Sequence, residues 1–249
     1  MDTTRFLVSA MTFLLAGFVK GVIGVGMPTV SMGILGSLMP PAQAAALLVV
    51  PSFVTNVWQM VGVPSLGALA RRLLPLLLSV FVGTWLGSGW LTGAGTGMAM
   101  AALGAALVAY AGFGLAAVTL PRVPARHEWW LGATTGAATG LITAATDVFV
   151  IPAVPYLGTL GLSRDALVGA MGMSFLASTV ALATVLGAEG AMAGGIAWGS
   201  ALALLPALVG MGLGNAVRRR VRPETFRRWF FLALLVLGGQ LLWRGVAGP

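Results

Sequence analysis

Apolar residues fall in long stretches from near the first residue to near the last, and polar residues lie almost entirely in the gaps between them. A bilayer core about 30 Å thick takes roughly 20 helical residues to cross. On that ruler residues 42–62, 73–91, 97–120, 166–187, 196–217 and 226–243 each read as one crossing, bounded by Pro, Gly or Arg. Two further stretches, 6–38 and 129–160, are too long for one crossing and are interrupted near their middles. The first breaks at Gly24-Val25-Gly26-Met27-Pro28 and the second at Thr143-Ala144-Ala145-Thr146-Asp147. Nothing between the runs is long enough for a soluble domain, so the pattern predicts one all-α integral membrane domain over residues 1–249.

Composition agrees. Of 249 residues 58% are hydrophobic and 8% charged, where a water-soluble domain carries about 25% charged residues. The formal net charge is +8, but the arginines cluster at the ends of apolar runs, as topology signals do, and form no continuous basic face for nucleic acid. With no cysteine and only His127 as histidine, disulfides, thiol catalysis and a zinc centre fall away, and no cofactor is expected. The apolar stretch after Asp2 and Arg5 runs past signal-peptide length and is expected to be retained.

The two interrupted stretches resemble each other. A shift of 119 residues aligns Gly17 with Gly136, Gly21 with Gly140, Gly24 with Thr143, Gly26 with Ala145 and Pro28 with Asp147. Gly83 and Gly87 are matched by Gly210 and Gly214 at the same spacing. This reads as a duplication, with halves 1–123 and 124–249 each made of one interrupted segment and three full spans.

Charge bears on whether the interrupted segments cross. If both cross, Lys/Arg divide almost evenly between the two faces. If both enter and return as hairpins, Arg71, Arg72, Arg122, Arg126, Arg164, Arg218, Arg219, Arg220, Arg222, Arg227 and Arg228 share a side, with Arg5 and Arg244 opposite. Short loops rich in Lys/Arg stay cytoplasmic. The hairpin arrangement therefore fits better and puts both termini outside. Each half then crosses an odd number of times, which makes the halves an inverted repeat, a common transporter construction.

Irregular backbone at membrane depth is tolerated only where protein or a water-filled cavity satisfies it. The two breaks are therefore expected to mark a cavity, with helices restarting at about Pro28 and about Val148. Their free N–H groups would then face an anion, joined by Thr29, Thr143 and Thr146 beside the breaks. Gly24 and Gly26 would let backbone approach a ligand, or would simply allow close helix packing. Lys20, one turn before the first break, is either an anion site or a lysine whose stem reaches to the interface. Asp147 reads as an N-cap of the restarting helix, a proton-carrying acid, or the counter-ion of Lys20. Asn56 and Gln59 share a helical face, extended by Ser52 and Thr55, and can donate to an oxyanion; Ser174, Ser178 and Thr179 hold a similar depth in the second half. These hydroxyls could equally be bonds between helices. Trp129, Trp130, Trp229 and Trp243 lie near segment ends, as interfacial aromatics do.

The stretch from Gly17 through Lys20, Gly21 and Gly24 to Gly26, the 47–59 run with Asn56-Val57-Trp58-Gln59, and the 140–152 stretch followed by Ser174 resemble the TauE/SafE family of sulfite exporters. The likeness spans the chain as two copies of the family's repeat. Where that repeat often carries three successive glycines, this chain has Gly26-Met27-Pro28 and Ala145-Thr146-Asp147. The resemblance implies outward, proton-linked transport of sulfur-containing or carboxylate anions, such as sulfite or sulfoacetate, across the bacterial cytoplasmic (inner) membrane. The expectation is thus an alternating-access carrier with a small anion and the lipid bilayer as partners, and a homodimer as its assembly. A passive anion channel and a non-transporting assembly subunit stand as alternatives.

Overall fold

The structure, a computed structural model, describes residues 3–93, 95–118, 120–192, 195–218 and 223–247. Among these there is no strand. The chain runs α1 (Thr3–Ile23), α2 (Met27–Leu35), α3 (Pro41–Met60), α4 (Leu66–Leu86), the short α5 (Trp90–Gly93) and α6 (Thr96–Leu115). A 3-10 turn at Ala125–His127 then leads into α7 (Glu128–Thr146), α8 (Ala153–Thr159), α9 (Arg164–Ala188), α10 (Ile196–Arg218) and α11 (Pro223–Ala247). Among the described residues six helices are long and apolar enough to cross a membrane, namely α3, α4, α6, α9, α10 and α11. They coincide with the six apolar runs. Leu86, Leu205 and Val236 are 76%, 72% and 71% exposed, a degree of apolar exposure that suits lipid contact rather than water. Helix α4 begins at Leu66, earlier than expected. Its first turns carry Arg72, whose guanidinium donates to the Glu128 carboxylate at 2.7 and 2.6 Å and to the Leu160 carbonyl at 3.0 Å.

Both interrupted segments double back. At the start of α1, Ser9 and Phe13 line the same cavity as Met39 and Gln43, which lie beyond α2. In the second segment the Tyr156 hydroxyl on α8 donates to the Glu128 carbonyl at the start of α7 (2.7 Å), and Arg72 holds both Glu128 and Leu160. Entry and exit therefore share an end in each case. Arg72, Arg122, which donates to the Gly161 carbonyl (3.3 Å), and Arg164 accordingly gather at one end of the bundle. Arg164 and Arg218 line one cavity there. The side chain of Arg5, the residues Arg219, Arg220 and Arg222, and Ala94 in the turn before α6 lie outside the described residues.

The breaks do not lie at the mid-depth that the interrupted apolar runs predict. Helix α1 has 21 residues, about 31 Å at 1.5 Å per residue, enough to traverse the core alone. Its end reaches the last turn of α3, where Gln59 Nε2 donates to the Gly24 carbonyl at 2.6 Å. Helix α7 runs until its Ala144 meets Gly87, the C-cap of α4. Neither arm stops halfway, and the two breaks lie toward opposite ends of the bundle. The first break falls as expected, with Gly24 and Gly26 at φ +83° and +108° and α2 starting at Met27, one residue before Pro28. The second falls later, because Thr143 and Thr146 donate to the carbonyls of Thr139 and Ile142 within their own helix (both 2.7 Å) and leave the helix intact. It ends at Asp147, and the restart comes at Ala153 rather than Val148, after a cis Ile151–Pro152 peptide.

Glycines set how these arms pack. An added Cβ at Gly21 would strike the Met211 carbonyl, the Asn215 nitrogen (2.8 Å) and the Gly214 Cα (2.9 Å) of α10. At Gly140 it would strike the Val80 carbonyl, the Thr84 nitrogen (2.6 Å) and the Gly83 carbonyl carbon (2.9 Å) of α4. The partner atoms stand a constant 131 residues apart, as do Ala207 and Leu76, which face Gly17 and Gly136. In return Gly214 faces Phe18 and Gly83 faces Ala137, 119 residues apart. The contacts therefore pair Gly83 with Gly214, not with Gly210. Contact order along the helices makes α1 parallel to α10 and α7 parallel to α4. Between α6 and α11 the contacts are reciprocal and antiparallel. Gly104 faces the Gly238 carbonyl and the Leu242 nitrogen, while Gly238 faces the Gly104 carbonyl and the Val108 nitrogen. Helices α3 and α9 are also antiparallel, since Gly169 meets Val63 and Gly172 meets Gln59.

Candidate functional site

Lys20 lies on α1 where that helix passes α3, and only 4% of it is exposed. Its ammonium donates to Thr55 Oγ1 at 2.9 Å and to Asn56 Oδ1 at 2.5 Å. Thr55 in turn donates to the Pro51 carbonyl one turn back (2.7 Å). Asn56 uses its amide nitrogen to reach across the crossing to Thr179 Oγ1 on α9 (3.3 Å), and Thr179 donates to the Phe175 carbonyl (2.8 Å). A buried ammonium is thus held by neutral oxygens from the helix at the centre of the bundle. The only ion pair among the described residues is Arg72–Glu128. Lys20 has no carboxylate beside it, which sets aside the reading of Asp147 as its direct counter-ion. An ammonium has three donors, and two are engaged by the chain.

The polar link continues past Thr179. Thr179, Ser52 and Asp147 line a cavity of about 10 Å³ between α3, α9 and the second break, close to the least space that holds one water. Asp147 Oδ2 and Ser52 Oγ are buried there without a partner from the chain, and a water needs two to four such partners. Asp147 does not cap the helix that follows. It sits in the left-handed region at φ 56°, ψ 17°, as the C-cap of α7, and the residue before α8 is Pro152, with no side-chain cap. Residues 148–152 separate it from Ala153, the first residue of α8.

The remaining residues divide by what holds them. Gln59 binds the Gly24 carbonyl rather than the Lys20 cluster, and its Oε1 is buried without a partner. Gly24 has open space where a Cβ would stand. Gly26 faces the apolar Val19 and Phe230, so its role is the positive φ of the turn rather than approach to a ligand. Pro28 and Thr29 are buried in the first turn of α2, where Thr29 donates to the Gly26 carbonyl (3.0 Å). Thr143 and Thr146 are bonded within α7, and Thr146 Oγ1 also accepts from the Val148 N–H (3.1 Å). Ser174 and Ser178 are fully buried with unpartnered hydroxyls. No cavity among those described is lined by both breaks. The expected single hollow between two opposed helix ends is replaced by a polar line from Lys20 through Asn56 and Thr179 toward Asp147.

Thr55 and Thr179 carry two of the bonds in this line, yet the sequence offers Thr55 only as an extension of the Asn56 face and Thr179 equally as packing, because buried threonines usually bond within their own helix. The signal that picks them out is position. Thr55 adjoins Asn56, an amide in an apolar span, and Thr179 is the hydroxyl whose helix crosses α3 at that level.

The family model described as Sulfite exporter TauE/SafE matches residues 9–241. No curated protein and no solved structure matches the chain. A match over nearly the whole length, on a multi-pass helical bundle with a buried cation at its central crossing, makes this chain a member of the TauE/SafE sulfite exporter family, whose members are membrane transporters and not enzymes.

Proposed function

We propose that this protein exports small sulfur-containing or carboxylate anions, such as sulfite or sulfoacetate, by alternating access across the bacterial cytoplasmic membrane. One observation carries the reading. Lys20, buried between α1 and α3 of a membrane protein and unmatched by any described carboxylate, gains most when an anion occupies its third donor. The two halves, 1–123 and 124–249, act as inverted repeats. The matched contacts of Gly21 and Gly140, and the antiparallel self-pairing of α6 with α11 and of α3 with α9, support this. The arginine-rich end faces the cytoplasm and both termini face outside, in keeping with the positive-inside rule. Asp147 carries a proton, which reaches the Lys20 cluster by way of the small cavity and Thr179.

The Asn56–Thr179 bond closes the crossing between α3 and α9, which favours a carrier over an open channel. The test is uptake into liposomes of sulfite, sulfoacetate, thiosulfate and simple carboxylates under an imposed pH gradient. The expected result is saturable uptake of at least one anion, accelerated by the gradient, and exchange against labelled substrate. In Asp147→Asn, exchange should persist while acceleration by the gradient disappears. Liposomes that move none of these anions would overturn the reading. Flux that never saturates would replace it with a channel.

A further inference from the structure

At the arginine-rich end of the bundle a cavity of about 200 Å³ opens between the end of α3, the start of α9 and the end of α10. Its lining includes Gln59, Gly62, Arg164, Asp165, Val168 and Arg218. One water occupies about 30 Å³ of liquid, so the space holds a small oxyanion with several waters. Neither arginine is in an ion pair among the described residues, although Asp165 adjoins Arg164 in the same lining. Among the described lining residues two cations and one anion make the cavity positive, and low-dielectric walls concentrate that field.

The floor of this cavity leads inward. Gln59 lines it while donating to the Gly24 carbonyl, and Gly24 donates its N–H to the Lys20 carbonyl (2.8 Å). Asn56, which holds the Lys20 ammonium, lies three residues before Gln59 on α3 and therefore on the same helical face. A single turn of α3 separates the cavity from the buried cation, and the Gln59 amide stands in that turn. Its unpartnered Oε1 shows that the Gly24 bond uses only part of what the side chain can form.

We infer that this cavity is an entry vestibule that collects small oxyanions at the arginine-rich face, with Arg164 and Arg218 as the capturing charges and Gln59 as the plug between vestibule and Lys20. The choice of an oxyanion rests on the transport function proposed above; the electropositive cavity does not. A small, partly neutralised pair of arginines suits a compact anion of one or two charges. Capture here raises the local anion concentration without requiring that the vestibule hold the ion tightly. Movement of the Gln59 amide off Gly24 then opens the last turn to Lys20.

The chain contains no cysteine, so Val168→Cys places a single reporter in the vestibule. Its reaction rate is measured with two methanethiosulfonate reagents of similar size, one carrying a sulfonate and one a quaternary ammonium, on protein in nanodiscs at low salt. The sulfonate reagent should react faster relative to its cationic twin than it does with a free thiol. That preference should fall on the order of tenfold in R164Q/R218Q, survive in R164K/R218K, and shrink at high salt. The lysine variant also shows that any loss in the glutamine variant is one of charge rather than of folding. An introduced thiol that neither reagent reaches, or a preference that the glutamine pair leaves unchanged, would overturn the vestibule. This readout needs no flux, so it stands or falls separately from the liposome experiment.

Discussion

Lys20→Met should reduce anion flux at least a hundredfold while leaving the protein folded and inserted. A hundredfold loss corresponds to about 2.7 kcal/mol of transition-state stabilisation. One charge-assisted hydrogen bond to a bound anion contributes roughly 1.5–3 kcal/mol. Methionine fills nearly the same volume and removes a charge that is buried without a described carboxylate. Methionine avoids the desolvation penalty of a buried ion, which is on the order of several kcal/mol. Against that, Asn56 Oδ1 loses its donor, at a cost of about 1–3 kcal/mol. The two terms nearly cancel, so thermal stability in detergent should move little while flux collapses. Flux at wild-type level in a well-folded Lys20→Met protein would remove Lys20 from the transport path.

The second large effect is steric. Gly21→Ala puts a methyl group into the backbone of α10 and Gly140→Ala puts one into the backbone of α4. The obstacles are carbonyls and amide nitrogens of a neighbouring helix, which cannot rotate aside, so the pair must separate along its length. Overpacking of well-filled interiors costs about 1–3 kcal/mol when side chains can adjust. Here the expected cost exceeds about 3 kcal/mol at each position, seen as a loss of monodisperse protein and a lowered unfolding temperature. Gly212→Ala is the control. It lies on the same helix as Gly214 but has nothing within 4 Å of an added Cβ, and should gain up to about 1 kcal/mol from helix propensity. Similar losses at Gly21 and Gly140 are the signature of equivalent halves. A benign result at either one would break the proposed equivalence.

The six crossing helices were legible in the sequence because span length is a physical ruler and the flanking Pro, Gly and Arg mark its ends. The first break was legible for a similar reason, since Gly24 and Gly26 supply backbone angles that L side chains rarely adopt. The second break was misplaced by several residues. Threonines at 143 and 146 look like helix interruptions in a sequence, but their hydroxyls bond carbonyls one turn back and keep the helix whole. Depth was not legible at all. An apolar run states how much chain is in lipid, not where along its partner it ends, and α1 and α7 follow α10 and α4 nearly end to end. That packing removed the shared hollow between two half-length arms that the breaks had led us to expect.

The duplication shows how the choice of marker decides register. Glycine spacing alone matched Gly83 and Gly87 with Gly210 and Gly214. The prolines inside α4 and α10, Pro75 and Pro206, stand 131 residues apart, the same offset the backbone contacts give. They carried the right register in a chain where glycine is too common to carry it. At the site, Lys20 and Asn56 stood out because charged and amide side chains are rare in lipid, and the structure brings them together. Gln59 stood out for the same reason and bonds elsewhere, because helical phase fixes a shared face but not which neighbour fills it.

The central claim is that an anion takes the third donor of Lys20 at the crossing of α3 and α9. Selenite has the shape and charge of sulfite and a heavy atom that scatters anomalously, so crystals of the protein soaked in it report the ion's position directly. The account predicts an anomalous peak within hydrogen-bonding reach of the Lys20 ammonium, lost in Lys20→Met. A map with peaks elsewhere and none beside Lys20 would contradict it.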